Sequence, residues 1–139
     1  MKEFISHSEK ETIEFAKKFA KTLKPGSVIA LEGNLGSGKT TFIKGIALGL
    51  GLKGTDEVKS PTFAIMHVYP THPTLYHFDL YRFENSKEAE AIGFQEFIHD
   101  PAVISCIEWP ERAAKLIPST ALRLHLELGE ENVRKIFFS

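Results

Sequence analysis

The stretch that decides the fold is Ser27-Val28-Ile29-Ala30-Leu31-Glu32-Gly33-Asn34-Leu35-Gly36-Ser37-Gly38-Lys39-Thr40-Thr41-Phe42. Its centre, Gly33-x-x-x-x-Gly38-Lys39-Thr40, carries the full spacing of a phosphate-binding loop. The flanks supply the context that spacing needs. Ser27 to Glu32 reads as a strand, and the unbroken apolar run Val28 to Leu31 suits one covered on both faces. A helix is expected from about Lys39 to Leu50, closed by Gly49 and Gly51. Glycines let successive amide N–H groups turn inward as an anion nest, and the helix aims its positive end at the same point. On this reading Asn34, Leu35, Gly36, Ser37 and Gly38 wrap the phosphates. Lys39 adds a point charge for the β- and γ-phosphates, and the Thr40 hydroxyl is suited to Mg²⁺. Thr41 places a second hydroxyl near the α-phosphate.

Outward from the loop, the pattern is α/β. Residues 3–6 suit a short edge strand. A helix is expected from Glu9 to Leu23, with Ser8 and Glu11 as a capping box and Pro25-Gly26 as its stop. Residues 55–61 read as an exposed loop. Thr62–Tyr69 and Thr74–Leu80 read as a hairpin around Pro70-Thr71-His72-Pro73. Asn85 or Ser86 can cap a helix through Phe97. Val103–Ile107 is a further buried strand, and Pro110 opens a short helix ending before Pro118. Residues 121–128 alternate, with Leu122, Leu124, Leu126 and Leu128 on one face, and Val133–Phe138 returns beside them. The sum is a single domain with a mixed sheet, a parallel core with antiparallel hairpins and helices on both faces.

Phosphate chemistry also needs an acid to hold the metal or its waters and a group to position the attacking oxygen. Two acids close apolar strands: Asp79 after Leu75-Tyr76-His77-Phe78, and Glu108 after Val103-Ile104-Ser105-Cys106-Ile107. The pattern does not divide the two roles between them. Ser60-Pro61-Thr62 suits a switch loop whose threonine reaches Mg²⁺ or the γ-phosphate. Arg82 is either a phosphate-facing cation or half of an ion pair. Trp109, next to Glu108, is either core or a reporter of the site. The six histidines lack metal-ligand spacing and read as structural or surface residues. Lys17, Lys18, Lys21 and Lys24 form a basic helix face that is solvated or meets RNA or an acidic partner.

Composition limits the alternatives. The chain has 139 residues, enough for one core, with 42% hydrophobic residues and a formal net charge of −1. That balance gives no global basic field for non-specific nucleic-acid binding. The one cysteine, Cys106, lies in an apolar run and excludes an internal disulfide. No signal peptide is apparent, and no run nears the roughly 18 apolar residues of a membrane span. A soluble, cytoplasmic protein is expected.

Four segments in order carry a resemblance: Gly33–Phe42, Ser60-Pro61-Thr62-Phe63, His77-Phe78-Asp79-Leu80-Tyr81-Arg82 and Ile107-Glu108-Trp109-Pro110-Glu111. Together they resemble the bacterial TsaE (YjeE) family, the ATPase of tRNA threonylcarbamoyladenosine biosynthesis, over roughly residues 8–111. The resemblance implies ATP and Mg²⁺ as ligands and the TsaD and TsaB proteins as partners, with tRNA met through that assembly next to the anticodon. It implies that ATP hydrolysis resets the partner pair. It further implies Lys39, Asp79 and Glu108 as catalytic residues, with Thr40 and Glu108 as metal ligands. Thr62 and Trp109 would lie around the site, and Ser8 and Thr12 would flank the nucleotide base. Asn34 stands where an acid is common. No guanine-reading N-K-x-D motif is present, which favours ATP over GTP. A small-molecule kinase and a non-enzymatic nucleotide-binding adaptor are the rival readings.

Overall fold

A computed structural model describes residues 2–54, 59–62 and 65–138, with 59–62 as backbone. The strands are β1 (Lys2–Ser6), β2 (Val28–Glu32), β3 (Lys59–Thr62), β4 (Met66–Tyr69), β5 (Leu75–Asp79), β6 (Ile104–Glu108), β7 (Leu122–Leu128) and β8 (Arg134–Phe138). The helices are α1 (Glu9–Ala20), α2 (Lys39–Gly49), α3 (Ser86–Ala91) and α4 (Phe94–Ile98), with a 3-10 helix over Pro110–Leu116. The strands form one sheet in the order β1-β8-β7-β2-β6-β5-β4-β3. β2 runs parallel to β6 and β7, and β5 runs parallel to β6. The remaining pairs are antiparallel. The mixed α/β class expected from the sequence is therefore the one observed.

Each face of the sheet buries its own apolar set. α1 and α2 cover one face, packing Ala16, Ala20, Phe42, Ile43 and Ile46 onto Ile29, Leu31 and Cys106. α3, α4 and the 3-10 helix cover the other, where Ala89, Phe94 and Leu116 meet Ala30, Phe78 and Ile107. Side chains alternate along a strand, so β6 sends Ile104 and Cys106 to the α1–α2 face and Ile107 to the opposite one. Two residues beyond Cys106, Glu108 points to the same side as α2.

Several boundaries depart from the sequence reading. α1 stops at Ala20, not Leu23, because the amides of Thr22 and Leu23 bond back only three residues, to Phe19 and Ala20. Its cap is half the expected box. The Ser8 hydroxyl accepts from the Glu11 amide, while the Glu11 carboxylate accepts from the amide of His7. The stretch read as one strand from Thr62 to Tyr69 holds only the last residue of β3, Thr62, and all of β4, which runs antiparallel to β3. Lys59, Ser60 and Pro61 belong to β3 rather than to a loop, while residues 55–58 lie outside the described residues. Pro61 is tolerated because β3 is the end strand of the sheet. The helix expected through Phe97 breaks into α3 and α4 at Gly93, whose φ is +78°. The leucine stripe of β7 outruns its cover: Leu124 and Leu126 are buried, but Leu128 is 58% exposed.

α1 and α2 touch closely at Gly45. A Cβ there would sit 2.5 Å from the Ala16 Cβ and 2.9 Å from the Ile13 carbonyl oxygen. In a solvated helix, Gly→Ala stabilises by about 1 kcal/mol. Overpacking of a tight contact costs about 1–3 kcal/mol and outweighs that gain here. Gly45→Ala is therefore expected to lower the urea midpoint. An unchanged or raised midpoint would show that the helices separate freely.

Candidate nucleotide site

The site lies where the parallel strands end. β2 leads straight into the glycine loop, and the neighbouring strand β6 ends in Glu108. β5 ends in Asp79, which stands opposite Glu108 in the ladder. Crevices beyond the carboxyl ends of parallel strands are the binding sites of open α/β sheets. Three loop glycines, Gly33, Gly36 and Gly38, have positive φ values of 146°, 81° and 100°. The Ser37 amide bonds to the Asn34 carbonyl, and α2 starts directly after Gly38.

One cleft collects most of the residues singled out in the sequence. Leu35, Gly36, Ser37, Gly38, Lys39, Thr40 and Thr41 form one wall, and Asp79, Glu108 and Trp109 form the other. Asn34 instead borders an outer groove with His125 and Glu127. Leu35 is 67% exposed at the loop tip. Ser8 and Thr12 line an adjoining pocket with Thr41. The Thr12 hydroxyl is already engaged there, 2.7 Å from the Ser6 hydroxyl and donating to the Ser8 carbonyl at 3.3 Å. The Thr62 side chain lies outside the described residues.

Glu108 is held from two sides. The Thr40 hydroxyl lies 3.3 and 3.4 Å from its two carboxylate oxygens, and His77 Nε2 lies 2.5 Å from Oε2. Both Glu108 and His77 are buried. The opposite ring nitrogen, Nδ1, has no partner among the described residues. An Nε2–H donating to the carboxylate leaves Nδ1 as a bare acceptor, cheaper to bury than an unpaired N–H. A hydroxyl and a carboxylate converging at the head of the loop, with Asp79 alongside, form an all-oxygen donor set that fits a hard divalent cation.

Lys39 is only 5% exposed. Its ammonium donates to the Gly33 carbonyl and lies 3.8 Å from the centre of the Trp109 ring. Burial pushes the ammonium below its ordinary pKa. The carboxylates of Glu108, Glu111 and Asp79 pull the other way but do not restore it. A buried ammonium so placed is suited to meet an anion. Burial also raises the Cys106 thiol, as expected of an inert core residue.

Two residues at the site were missed in the sequence. His77 was read as structural or surface, yet it contacts Glu108. The available signal was its place two residues before Asp79, on the same strand face. Arg134, at the start of β8, borders both the main cleft and the adjoining pocket. No local pattern marks it, because its position follows from strand order: β7 pairs with β2, and β8 lies next to β7.

A family model described as Threonylcarbamoyl adenosine biosynthesis protein TsaE matches residues 6–136 of the chain. The tRNA threonylcarbamoyladenosine biosynthesis protein TsaE of Treponema pallidum is 38% identical over 132 residues, 95% of this chain and 96% of that one. The protein of the same description from Bacillus subtilis is 41% identical over 130 residues, 93% of this chain and 79% of its own. The crystal structure of Bacillus subtilis YdiB superposes with a TM-score of 0.80 at 33% identity, covering 99% of this chain and 83% of that chain.

Proposed function

The chain belongs to the TsaE family of tRNA threonylcarbamoyladenosine biosynthesis, and from that premise we propose that it is a Mg-dependent P-loop ATPase that resets the TsaD–TsaB pair between turnovers. The observation that carries this reading is the convergence of the Thr40 hydroxyl and the Glu108 carboxylate at 3.3 Å, beside Lys39 at the head of the glycine loop.

The loop amides and the positive end of α2 take the phosphate oxygens. Lys39 leaves the Trp109 ring for the β- and γ-phosphates. Thr40 and Glu108 would hold Mg²⁺, and the ion would supply positive charge against the phosphates. His77 fixes the orientation of Glu108. Asp79, at the neighbouring strand end, orients the attacking water. The catalytic power of such a site comes from positioning and preset electrostatics. Loss of the γ-phosphate then changes the affinity for the partner pair. Contact with tRNA is indirect, through the pair, and the setting is cytoplasmic.

The test is phosphate release from Mg-ATP by the protein alone and with TsaD and TsaB, using Lys39→Ala as control. Lys39-dependent stimulation by the pair is expected. Lack of stimulation by folded partners would overturn the reading and favour a kinase with its own acceptor.

Trp109 is the only tryptophan and carries the Lys39 ammonium on its ring. Saturable ATP binding is therefore expected to shift its emission as Lys39 departs. Unchanged emission under calorimetrically proven ATP binding would show that Lys39 stays parked.

A further inference from the structure

Two hollows meet at the loop, and they share three residues: Gly38, Thr41 and Arg134. One hollow continues past Lys39 and Thr40 to Asp79 and Glu108. The other continues to Ser8, Thr12 and Asn132. A nucleotide with its terminal phosphates at Lys39 and its base beside Ser8 and Thr12 must pass its α-phosphate over this seam. Of the three shared residues, only Arg134 carries charge.

We propose that Arg134 binds the α-phosphate of a nucleoside di- or triphosphate and so ties the base half of the cleft to its phosphate half. This rests on the nucleotide reading above and adds a binding residue from the last hairpin. Three observations support it. The Arg134 stem lies against the loop: Cγ, Cδ and Nε are each 3.7–3.8 Å from where a Cβ on Gly38 would stand. Its guanidinium donates to its neighbour's carbonyl, that of Val133, at 3.2 Å. It forms no ion pair among the described residues, although Glu9 borders the same pocket. A cation beside the positive end of α2 and without an ion-pair partner among the described residues is available to an anion that joins it there. A guanidinium fork matches the non-bridging oxygens of a phosphate. Gly38 itself is required by its φ of +100°, and a Cβ there would only touch the arginine stem at ordinary contact distance.

The test measures binding of ATP, ADP and the two α-thio diastereomers of ATP to the full chain, to Arg134→Gln and to Arg134→Lys, with thermal melts as a folding control. The wild type is expected to prefer one diastereomer. Arg134→Gln is expected to lose that preference and to weaken ATP and ADP binding about tenfold or more. Arg134→Lys is expected to keep part of the affinity without the preference. A variant that only loosens the fold weakens binding but retains the preference, which would overturn the proposal. So would unchanged ATP affinity, or a wild type without preference. If Arg134→Gln does not fold, the diastereomer comparison in Arg134→Lys decides. A wild type that binds neither ATP nor ADP, alone or with TsaD and TsaB, would instead refute the nucleotide reading itself.

Discussion

Lys39→Ala is expected to lower Mg-ATP turnover by about a hundred- to a thousandfold while leaving the protein folded. The size follows from what one preset electrostatic contact contributes in a water-poor phosphate site, about 2.7–4 kcal/mol of transition-state stabilisation. The site adds a second reason. Lys39 is already partly stripped of water, and burial outweighs the pull of Glu108, Glu111 and Asp79. An ammonium so placed gains more from an arriving phosphate than a solvated one, having less hydration left to lose. The fold should survive, because the side chain's two partners are a single carbonyl and the face of Trp109. A desolvated cation–π contact is worth about 2 kcal/mol, well below the roughly 5–15 kcal/mol that holds a typical domain folded. Phosphate release and a denaturant melt of the same preparation check both halves. Turnover within tenfold of wild type would sink the assigned role.

The second large effect falls on stability. Gly33→Ala is expected to destabilise the protein by about 3–5 kcal/mol, combining backbone strain with overpacking. Gly33 has φ +146°, and a Cβ there would lie 2.4 Å from the Leu126 carbonyl oxygen and 2.7 Å from Ser37 Oγ. The carbonyl belongs to β7, so relief requires the loop to move off the sheet or β7 to move off β2. Gly36→Ala is the matched control. Its φ is also positive, +81°, but nothing lies within 4 Å of the added carbon. Only the conformational penalty of about 1–2 kcal/mol remains there. Urea unfolding of the two variants separates crowding from backbone preference. Equal midpoints would show that the loop yields to the methyl group.

Much of the site was legible because its chemistry sits in short, ordered segments. The strand–loop–helix unit from Val28 to Gly49 announces itself through spacing and apolar runs. Asp79 and Glu108 were recognisable as acids that close apolar strands, and the ladder places them side by side. What sequence could not supply was strand order. Nothing local states that β7 joins β2 or that β8 turns Arg134 toward Gly38. His77 was hidden differently: a histidine within an apolar strand looks like core until the partner at its tip is known. β3 was missed because Ser60-Pro61 is a turn signal, and residues 55–61 were read as a loop up to the strand at Thr62. The break at Gly93 was a turn signal inside a helical pattern, outweighed there by the surrounding periodicity.

The pairing of β1 with β8 gives the molecule an order in time. β1 precedes the glycine loop in sequence, but its neighbour in the sheet, β8, follows every other strand described. Ser8 and Thr12 follow β1, while Asn132 and Arg134 come with the β7–β8 hairpin, so the pocket that also takes in Gly38 and Thr41 is incomplete until both segments are in place. A nascent chain can shape the glycine loop early, since β2 and α2 are contiguous. It cannot complete the adjoining pocket until β8 has closed on β1. The outer pocket is thus completed by contacts between segments far apart in sequence, whereas the loop is built from neighbours.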